Sequence, residues 1–493
     1  MPDRDLWLGI DVGTQSARAV AVDSTGHVHG SGTHPLTGHR AGNRHEQDPE
    51  QWWTATAHAC RAALTGLDTT RIRALAVDGT SGTVLLTDRR GRPLTPGLMY
   101  DDGRATAEAD RANALGAPLW QELGYQRMQP SWALPKLLWL LDRHRDAVAH
   151  DDARLCHQPD LICRRLAGHP LPTDTSHALK SGYHLLADRW PEDTLTALGV
   201  PAAVLPDVVR PGTVTGTVCA RAAVTTGIPE GTPVVAGMTD GCAARLGAGA
   251  LEPGAWNAVL GTTLVLKGVS HGLVHDPTGA LYCHRGPDGL WLPGGASSSG
   301  AGVLAHRFPG ADLDRLTAHA VRRRPRAVAY PLVSAAGERF PFRAPDARPF
   351  VLGDTADDTD LFLAQLLGVA CLERLCLDHL DLLGAPADGP YTLTGGGARN
   401  PAWCRLRADV LGRPVRLPQH TEAAHGSAVL AATAHGQPLA EAARTMARTR
   451  QDLAPDPTAT ARHTEHYLRL VDALARHGWL GRTLADHAHR RAA

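Results

Sequence analysis

Two distant stretches of the chain repeat one pattern of apolar and polar positions. Each has an apolar strand, a turn of glycine with threonine, and a second apolar strand, at 8–22 and at 257–266. The pattern predicts two β-hairpins whose tips offer backbone N–H groups and hydroxyls to an anion, because glycine permits close approach and threonine or serine adds donors. The tip residues are Gly13, Thr14, Gln15 and Ser16 in the first hairpin and Gly261, Thr262 and Thr263 in the second.

Strand-like and helix-like stretches alternate along the rest of the chain. Asp48 followed by Pro49 is typical of a helix start, since the carboxylate caps the first turn and proline suits the first helical position. Short apolar strands at 73–77 and 233–237 each lead into an aspartate, Asp78 and Asp240 respectively. Helical stretches follow at 361–382 and 401–411, with a last strand at 414–417. This order predicts an α/β protein with two lobes, 1–246 and 247–493.

Length and charge bound the functional classes. A chain of 493 residues suggests two to four domains at roughly 100 to 200 residues each. The 50 basic and 50 acidic residues cancel, so nothing favours nucleic acid or an acidic membrane as a partner. No apolar run approaches the roughly 18 residues of a membrane span, and no basic segment precedes an apolar one at the start. We therefore expect a cytoplasmic monomer or homodimer.

Cysteine, histidine and lysine usage adds detail. The 9 cysteines include no Cys-x-x-Cys pair, which indicates reduced, mostly buried thiols and no zinc site. Histidine pairs such as His27 and His29 lack a ligand scaffold and are expected to be solvated. Only Lys136, Lys180 and Lys267 are lysines, so arginine supplies the other 47 of the 50 basic residues. Lys136 is expected to be a solvated residue of a helix.

Two aspartates occupy positions that phosphate chemistry would require. Asp11 directly precedes the first tip, where a carboxylate would repel phosphate unless a divalent cation such as Mg²⁺ lies between them. A hydroxyl that attacks a γ-phosphoryl group needs one positioned carboxylate to take its proton, so Asp240 is the candidate general base. The alternative is a helix-capping aspartate, because 241–244 opens a helix.

A run of three glycines, Gly395, Gly396 and Gly397, follows the strand at 391–393 and precedes Asn400. Bare backbone of this kind lets a flat ring lie against it, which suits adenine or its ribose. The alternative is a tight strand-to-helix turn. Two anion-binding tips, a cation-holding carboxylate and a candidate base together indicate a two-lobed, ATP-dependent phosphotransferase.

These motifs resemble those of the FGGY family of carbohydrate kinases, over nearly the whole chain from Leu6 to about His435. The matching motifs lie at 11–18, 48–53, 135–139, 337–341 and 394–400. The resemblance implies two ribonuclease-H-like lobes, as in actin, hexokinase and the Hsp70 ATPase, with a cleft between them. It also implies ATP and Mg²⁺ as cofactors.

At matching positions the resemblance implies a role for each motif. Both hairpin tips would hold phosphates, and the triple glycine with Asn400 would hold adenosine. Asp240 would be the base and would share Mg²⁺ with Asp11, at least partly through waters. The sugar would contact Asp78, Thr80, Ser81, Lys180 and Asp240.

The acceptor sugar is indicated by departures from one branch of the family. Xylulose kinases carry Gly-Gln-Met-His-Gly where this chain has 78–82, so Thr80 and Ser81 replace the methionine and histidine that touch xylulose. That turn, with 177–183 and 334–341, resembles the D-ribulose kinases and implies phosphorylation of D-ribulose to D-ribulose 5-phosphate. The alternatives within the class are D-xylulose, L-ribulose or a pentitol. Outside it they are an actin- or Hsp70-like ATPase and a silent sugar sensor.

Overall fold

The computed structural model describes residues 5–150 and 152–493, in which strands and helices alternate as the sequence pattern predicts. The strands are β1 Leu6–Val12, β2 Ser16–Asp23, β3 Val28–Pro35, β4 His39–Ala41, β5 Arg44–Gln47, β6 Ile72–Gly79, β7 Val84–Thr87, β8 Gly97–Leu98, β9 Arg154–His157, β10 Thr173–Asp174, β11 Val208–Val209, β12 Val214–Thr217, β13 Pro233–Val235, β14 Trp256–Leu260, β15 Leu264–Gly268, β16 Tyr282–Arg285, β17 Trp291–Ala296, β18 Val328–Tyr330, β19 Phe350–Leu352, β20 Tyr391–Thr394, β21 Val415–Pro418 and β22 Thr449–Leu453. The helices are α1 Pro49–Leu64, α2 Thr106–Glu122, α3 Ala133–Arg143, α4 Arg145–Ala149, α5 Gln158–Ala167, α6 Thr175–Ala178, α7 Glu192–Ala197, α8 Ala220–Thr226, α9 Asp240–Gly247, α10 Gly302–Arg307, α11 Leu313–Ala320, α12 Asp358–Leu382, α13 Pro401–Leu411, α14 Ala423–Ala431, α15 Leu439–Met446, α16 Pro457–Arg476 and α17 Arg482–Ala492.

The described residues fold as two compact units. The first comprises the chain up to Gly249 together with 284–291 and 420–448, and the second comprises 250–283, 292–419 and 449–493. This division differs from a single boundary near Gly247, because 420–448 belongs to the first unit. The first half of the sequence therefore folds together with residues 420–448, which come from the C-terminal part of the chain.

Glycines explain why that late segment packs where it does. A Cβ atom added to Gly9 of β1 would lie 1.8 Å from the carbonyl oxygen of Ala424 in α14. A Cβ atom on Gly426 of α14 would lie 1.8 Å from the carbonyl oxygen of Ala243 in α9. Only glycine permits such close approach of backbone to backbone. Helix α14 is thereby held against both β1 and α9 within the first unit.

The first unit is built on a six-stranded sheet with the order β12-β13-β6-β1-β2-β3. Strands β1, β6 and β13 are parallel, whereas β1 and β2 form the predicted antiparallel hairpin. Every residue of β1 is buried, and its apolar side chains join Trp52 of α1 in the core. Because parallel strands end at the same edge, whatever follows β1, β6 and β13 is brought together there.

A seven-stranded sheet with the order β16-β17-β15-β14-β20-β21-β22 repeats the arrangement, and its strands β14, β15, β20, β21 and β22 lie wholly in the second unit. Strands β14 and β15 form the second predicted hairpin, and β14 runs parallel to β20, which runs parallel to β21. The long helix α12 is buried along most of its length. The α/β class and the duplicated hairpin are therefore confirmed.

The remaining class predictions have mixed outcomes. None of the described helices is both long and apolar enough to cross a bilayer. All nine cysteines are free thiols, seven of them buried, as predicted. The cytoplasmic location and the monomeric or dimeric state stay predictions.

Candidate active site

Three aspartates meet at the carboxyl edge of the first unit's sheet. Asp11 lies near the end of β1, Asp78 near the end of β6, and Asp240 is the first residue of α9 after β13. The parallel register pairs Asp11 with Asp78, and a bridge joins Gly79 to Thr239. Asp11 is 7% exposed, Asp78 is fully buried and Asp240 is half-buried. The sheet thus gathers carboxyl groups that are far apart in sequence.

Burial and mutual repulsion set the charge of this group. Burial raises the pKa of Asp11 to about 6; a hydrogen bond with Asp78 opposes that shift and the nearby Asp240 charge adds to it. Burial also raises the pKa of Asp78 well above its usual range, and the charge of Asp11 adds to the effect. Asp78 is therefore the neutral member of the pair, because two adjacent carboxylates resist joint ionisation.

Asp78 is held by the protein on both sides. Its Oδ2 accepts a hydrogen bond of 2.6 Å from the hydroxyl of Ser427 in α14, and its carboxyl also hydrogen-bonds that of Asp11. A direct contact with sugar is a prediction that this full burial does not support. No local sequence signal identifies Ser427 as a partner of β6, since the two residues are 349 positions apart.

The acidic group suits one divalent cation held largely by water. Among the described residues no three carboxylate, histidine or cysteine side chains are placed to ligate one ion together. Mg²⁺ commonly takes one or two carboxylates and keeps several waters. Asp11 and Asp240, the two members of the group not sealed in the core, fit that donor set.

A buried polar network holds the start of α9. Thr239 occupies the N-cap position, so the alternative that Asp240 itself caps this helix is wrong. The Thr239 amide donates to Ser176 Oγ at 2.9 Å, and that hydroxyl donates to Asp174 Oδ1 at 2.6 Å. Asp240 Oδ1 accepts from the Gly241 amide at 2.7 Å. The network fixes the backbone from which Asp240 projects, and the sequence patterns did not reveal it.

The turn after β6 contains the other predicted sugar residues. Thr80 is buried, and its amide and hydroxyl donate to Gln158 Oε1 at 3.1 and 2.8 Å. A sugar contact by this hydroxyl stays a prediction that these bonds do not favour. Ser81 Oγ is different, because it is buried and hydrogen-bonds no other described residue. Lys180 Nζ donates to the Ser81 carbonyl oxygen at 3.1 Å, so the alternative of a surface lysine is wrong.

The first hairpin tip is held in place by hydrogen bonds within the turn and from a neighbouring side chain. The Gly13 amide donates to the Ser16 carbonyl oxygen at 3.0 Å, which closes the turn. The side chain of Gln47 donates to the Thr14 carbonyl oxygen at 2.7 Å and accepts from Trp52 Nε1 at 2.7 Å. The tip residues themselves are half-buried or exposed. The helix-start motif at 48–53 therefore supports the tip as well as the core.

The second tip is shaped by packing of backbone on backbone. The Gly261 amide donates to the Thr263 carbonyl oxygen at 3.0 Å, as at the first tip. The loop at 297–302 lies directly behind it: a Cβ atom on Gly300 would be 2.6 Å from Thr263 Cα. Glu338 holds that loop by accepting from the hydroxyls of Ser297 and Ser299.

Two of the three consecutive glycines are explained by close packing against β14. Added Cβ atoms on Gly395 and Gly397 would lie 2.7 and 2.5 Å from atoms of Leu260, so close packing on β14 requires both glycines. Gly396 faces open space. Asn400 caps α13 by accepting from the Trp403 amide at 3.0 Å, and it donates to Asp314 at 2.8 Å. Contact of these four residues with adenosine stays a prediction.

The prediction that Lys136 is solvated is wrong. Lys136 is fully buried in α3, not solvated, and its Nζ donates to the carbonyl oxygens of Gly82 at 2.6 Å and Met99 at 2.8 Å. Burial lowers the pKa of Lys136 to about 7, and the charge of Asp102 opposes that shift. The helical pattern around 136 is apolar on most faces, and that signal pointed to the core.

Each unit combines a β-hairpin with a parallel strand. The first unit has acidic strand ends, and the second has a neutral, glycine-rich tip. These features are those of a two-lobed phosphotransferase with ribonuclease-H-like lobes. The chain belongs to the FGGY family of carbohydrate kinases, whose N-terminal domain matches residues 6–247 and whose C-terminal domain matches residues 258–435. The predicted family, fold class and enzyme class are thereby confirmed.

Individual relatives agree with the family assignment. The chain is 34% identical over 438 residues to a xylulose kinase of Streptomyces coelicolor, covering 87% of each chain. It is 29% identical over 420 residues to a xylulose kinase of Escherichia coli, covering 83% of this chain and 85% of the relative. The crystal structure of a xylulose kinase from Rhodospirillum rubrum superposes with a TM-score of 0.82 at 26% identity, covering 95% and 98% of the two chains.

Proposed function

We propose that this carbohydrate kinase transfers the γ-phosphoryl group of ATP to the C5 hydroxyl of a ketopentose, with D-ribulose as the preferred acceptor. The observation that carries the proposal is the meeting of Asp11 and Asp240 at one sheet edge, beside a turn that offers Ser81 and Lys180. Relatives named xylulose kinase support a five-carbon ketose.

Asp240 is the general base in this mechanism. Its carboxylate takes the proton of the C5 hydroxyl as that oxygen attacks the γ-phosphorus, the bond to the bridging oxygen breaks, and ADP leaves with the electron pair. Burial of Thr239 and its bond to Ser176 keep the start of α9 in place during the transfer. Mg²⁺, held by Asp11 and Asp240 with waters, would neutralise charge on the phosphates.

The nucleotide is assigned to both hairpin tips and to the glycine-rich turn at 395–397. Gly13 to Ser16 and Gly261 to Thr263 would bind its phosphates through their hydroxyls and through backbone amides other than those of Gly13 and Gly261, which close the two turns. The open face at Gly396 would lie against the adenosine. Exclusion of water from the reacting atoms would then favour transfer to sugar over hydrolysis.

D-ribulose is favoured over D-xylulose by the turn after β6. Where the xylulose kinases carry a glycine and a Met-His pair, this chain has Asp78 and the smaller Thr80 and Ser81. Asp78 Oδ2 and the Thr80 hydroxyl already hydrogen-bond within the protein, whereas the Ser81 hydroxyl does not, which favours Ser81 and Lys180 as the groups that meet the acceptor. D-xylulose remains the second candidate, because several relatives of this chain carry that sugar in their names.

An acceptor panel tests the proposal. Initial rates of ADP formation are measured with ATP and Mg²⁺ and with D-ribulose, D-xylulose, L-ribulose, pentitols or glycerol, each over a range of concentrations. The proposal expects the highest kcat/KM with D-ribulose. A higher kcat/KM with D-xylulose would replace the acceptor and keep the kinase assignment. A rate that no ketopentose raises above the sugar-free rate would overturn the proposed function.

A further inference from the structure

Lys136 is an unusual residue for the interior of a protein. It is one of only three lysines in a chain with 47 arginines, and none of its surface is exposed. A buried charge is costly unless its hydrogen-bonding capacity is met. Lys136 Nζ meets that demand with the carbonyl oxygens of Gly82 at 2.6 Å, Met99 at 2.8 Å and Leu98 at 3.4 Å.

Those carbonyls belong to two different segments of the first unit. Gly82 ends the turn that follows β6, whereas Leu98 and Met99 lie at the end of β8. The second segment is firmly anchored, since the Met99 amide donates to the His45 carbonyl oxygen at 2.9 Å and buried Asp102 accepts from the His45 amide at 2.7 Å. Lys136 therefore ties the turn to a rigid neighbour.

The same turn is held by a second lysine. Lys180 Nζ donates to the carbonyl oxygen of Ser81, next to the Gly82 carbonyl that Lys136 binds. Gly82 has a φ of +97°, and a Cβ atom there would lie 3.3 Å from Lys180 Cδ. The carbonyl oxygens of two consecutive residues of this turn are thus each held by a lysine Nζ. Neither Ser81 nor Lys180 can shift without disturbing the other.

Only an ammonium group suits this place. It carries three N–H donors that point in different directions, whereas a guanidinium is a flat fork that needs a wider site. A methionine would fill the volume but donate no hydrogen bond, so the Gly82 carbonyl oxygen would lose its 2.6 Å bond and the Met99 carbonyl oxygen would keep only the Asp102 amide at 2.9 Å. The choice of lysine in an arginine-rich chain is explained by this geometry.

We propose that Lys136 is a positioning residue for the acceptor sugar, holding the 79–82 turn in the shape in which Ser81 and Lys180 meet the ketopentose. The inference rests on the proposed function. Lys136 acts through the backbone and does not touch the sugar. Its loss lets the turn relax, which weakens binding of the acceptor and changes the preference between ketopentoses.

Steady-state kinetics of K136M, K136R and the control K267M test the inference. Lys267 of the second unit is also buried and donates to a backbone carbonyl, that of Leu292, so K267M matches the loss of a buried lysine. K136M is expected to raise KM for D-ribulose at least about tenfold and to lower the ratio of kcat/KM for D-ribulose to that for D-xylulose, with KM for ATP nearly unchanged. K136R does not restore either value, and K267M lowers the melting temperature alone.

A folded K136M enzyme with unchanged sugar KM and unchanged acceptor ratio would overturn the role of Lys136. Should K136M not fold, K136Q, which keeps two donors, is measured in its place and is held to the same standard with a smaller expected change. Failure of the wild type to phosphorylate any ketopentose would instead overturn the proposed function, so the two failures are distinguishable.

Discussion

The two units use the same backbone for different chemistry. In the first, β1 pairs with β2 in a hairpin and with parallel β6, and the register sets Asp11 beside Asp78. In the second, β14 pairs with β15 and with parallel β20, and the register sets Val259 beside Thr394. Both pairs lie just before a glycine tip. The same fold therefore supplies carboxyl groups in one copy and neutral, closely packed backbone in the other.

Removal of the proposed base, Asp240, is expected to have the largest effect. Asp240→Asn keeps the side chain's size and removes its ability to take a proton, so turnover is expected to fall roughly 100- to 10,000-fold while nucleotide still binds. Coupled measurement of ADP formation and calorimetric titration with nucleotide check both parts. Asp193→Asn, at an exposed acidic position in the first turn of α7, serves as the matched control. Near-normal turnover of Asp240→Asn would remove this residue from the mechanism.

The acidic strand ends also predict a pH dependence of stability that the neutral copy lacks. The pKa of Asp11 is about 6 in the folded protein and near 3.9 when unfolded, so folding is favoured most below pH 4 and this advantage is lost as the pH rises to 6. The free energy of unfolding of the wild type relative to Asp11→Asn should fall by on the order of 2 to 3 kcal/mol over that range.

Urea unfolding of both proteins between pH 4 and 7, without divalent cations, measures this difference. Addition of Mg²⁺ at pH 7 should restore part of the lost stability in the wild type and little in the variant, because a bound cation stabilises the folded state. Parallel pH curves for the two proteins would show that Asp11 does not titrate in this window.

The network beneath Asp240 predicts a smaller effect. Ser176→Ala leaves the buried Thr239 amide without its partner, which is expected to cost about 2 kcal/mol of stability. kcat should fall while KM for sugar and ATP stays nearly constant, because Asp240, the proposed base, is displaced and the proposed binding groups are not. Ser176→Thr keeps the hydroxyl and should recover kcat. Equal loss of kcat in both variants would contradict the positioning role.

A carboxylate introduced into the second unit tests whether charge near its hairpin tip affects ATP binding, and its expected effect is the smallest. Val259→Asp puts an acid at the position that Asp11 occupies in the first copy. Without a cation assigned to that tip it should repel phosphate and raise KM for ATP about tenfold, which corresponds to about 1.4 kcal/mol. Val259→Asn is the uncharged control of the same size. Equal KM values for the two variants would show that charge at this tip does not matter.

Local patterns were enough to predict much of this molecule. The glycine tips, the Asp48 helix start and the strands before Asp78 and Asp240 are set by neighbouring residues, and the structure contains them all. The proximity of Asp11 and Asp240 was implied by the family resemblance alone, and the parallel order of β1, β6 and β13 gives its physical reason.

The errors arose where contacts join distant parts of the chain. Lys136 reaches carbonyls 54 and 37 positions away, Thr239 bonds Ser176 across 63 positions, and Ser427 bonds Asp78 across 349. No periodicity or spacing encodes such partners. The packing of α14 on β1 was missed for the same reason, since it depends on the absence of a side chain at Gly9.

We expect the acidic strand ends of the first unit to direct the phosphoryl group to a sugar hydroxyl and not to water. Phosphorus NMR of wild-type protein incubated with ATP, Mg²⁺ and D-ribulose tests it most directly. A phosphomonoester resonance of D-ribulose 5-phosphate is expected to grow in step with ADP, with almost no inorganic phosphate. Inorganic phosphate formed in step with ADP, with no sugar phosphate, would contradict it.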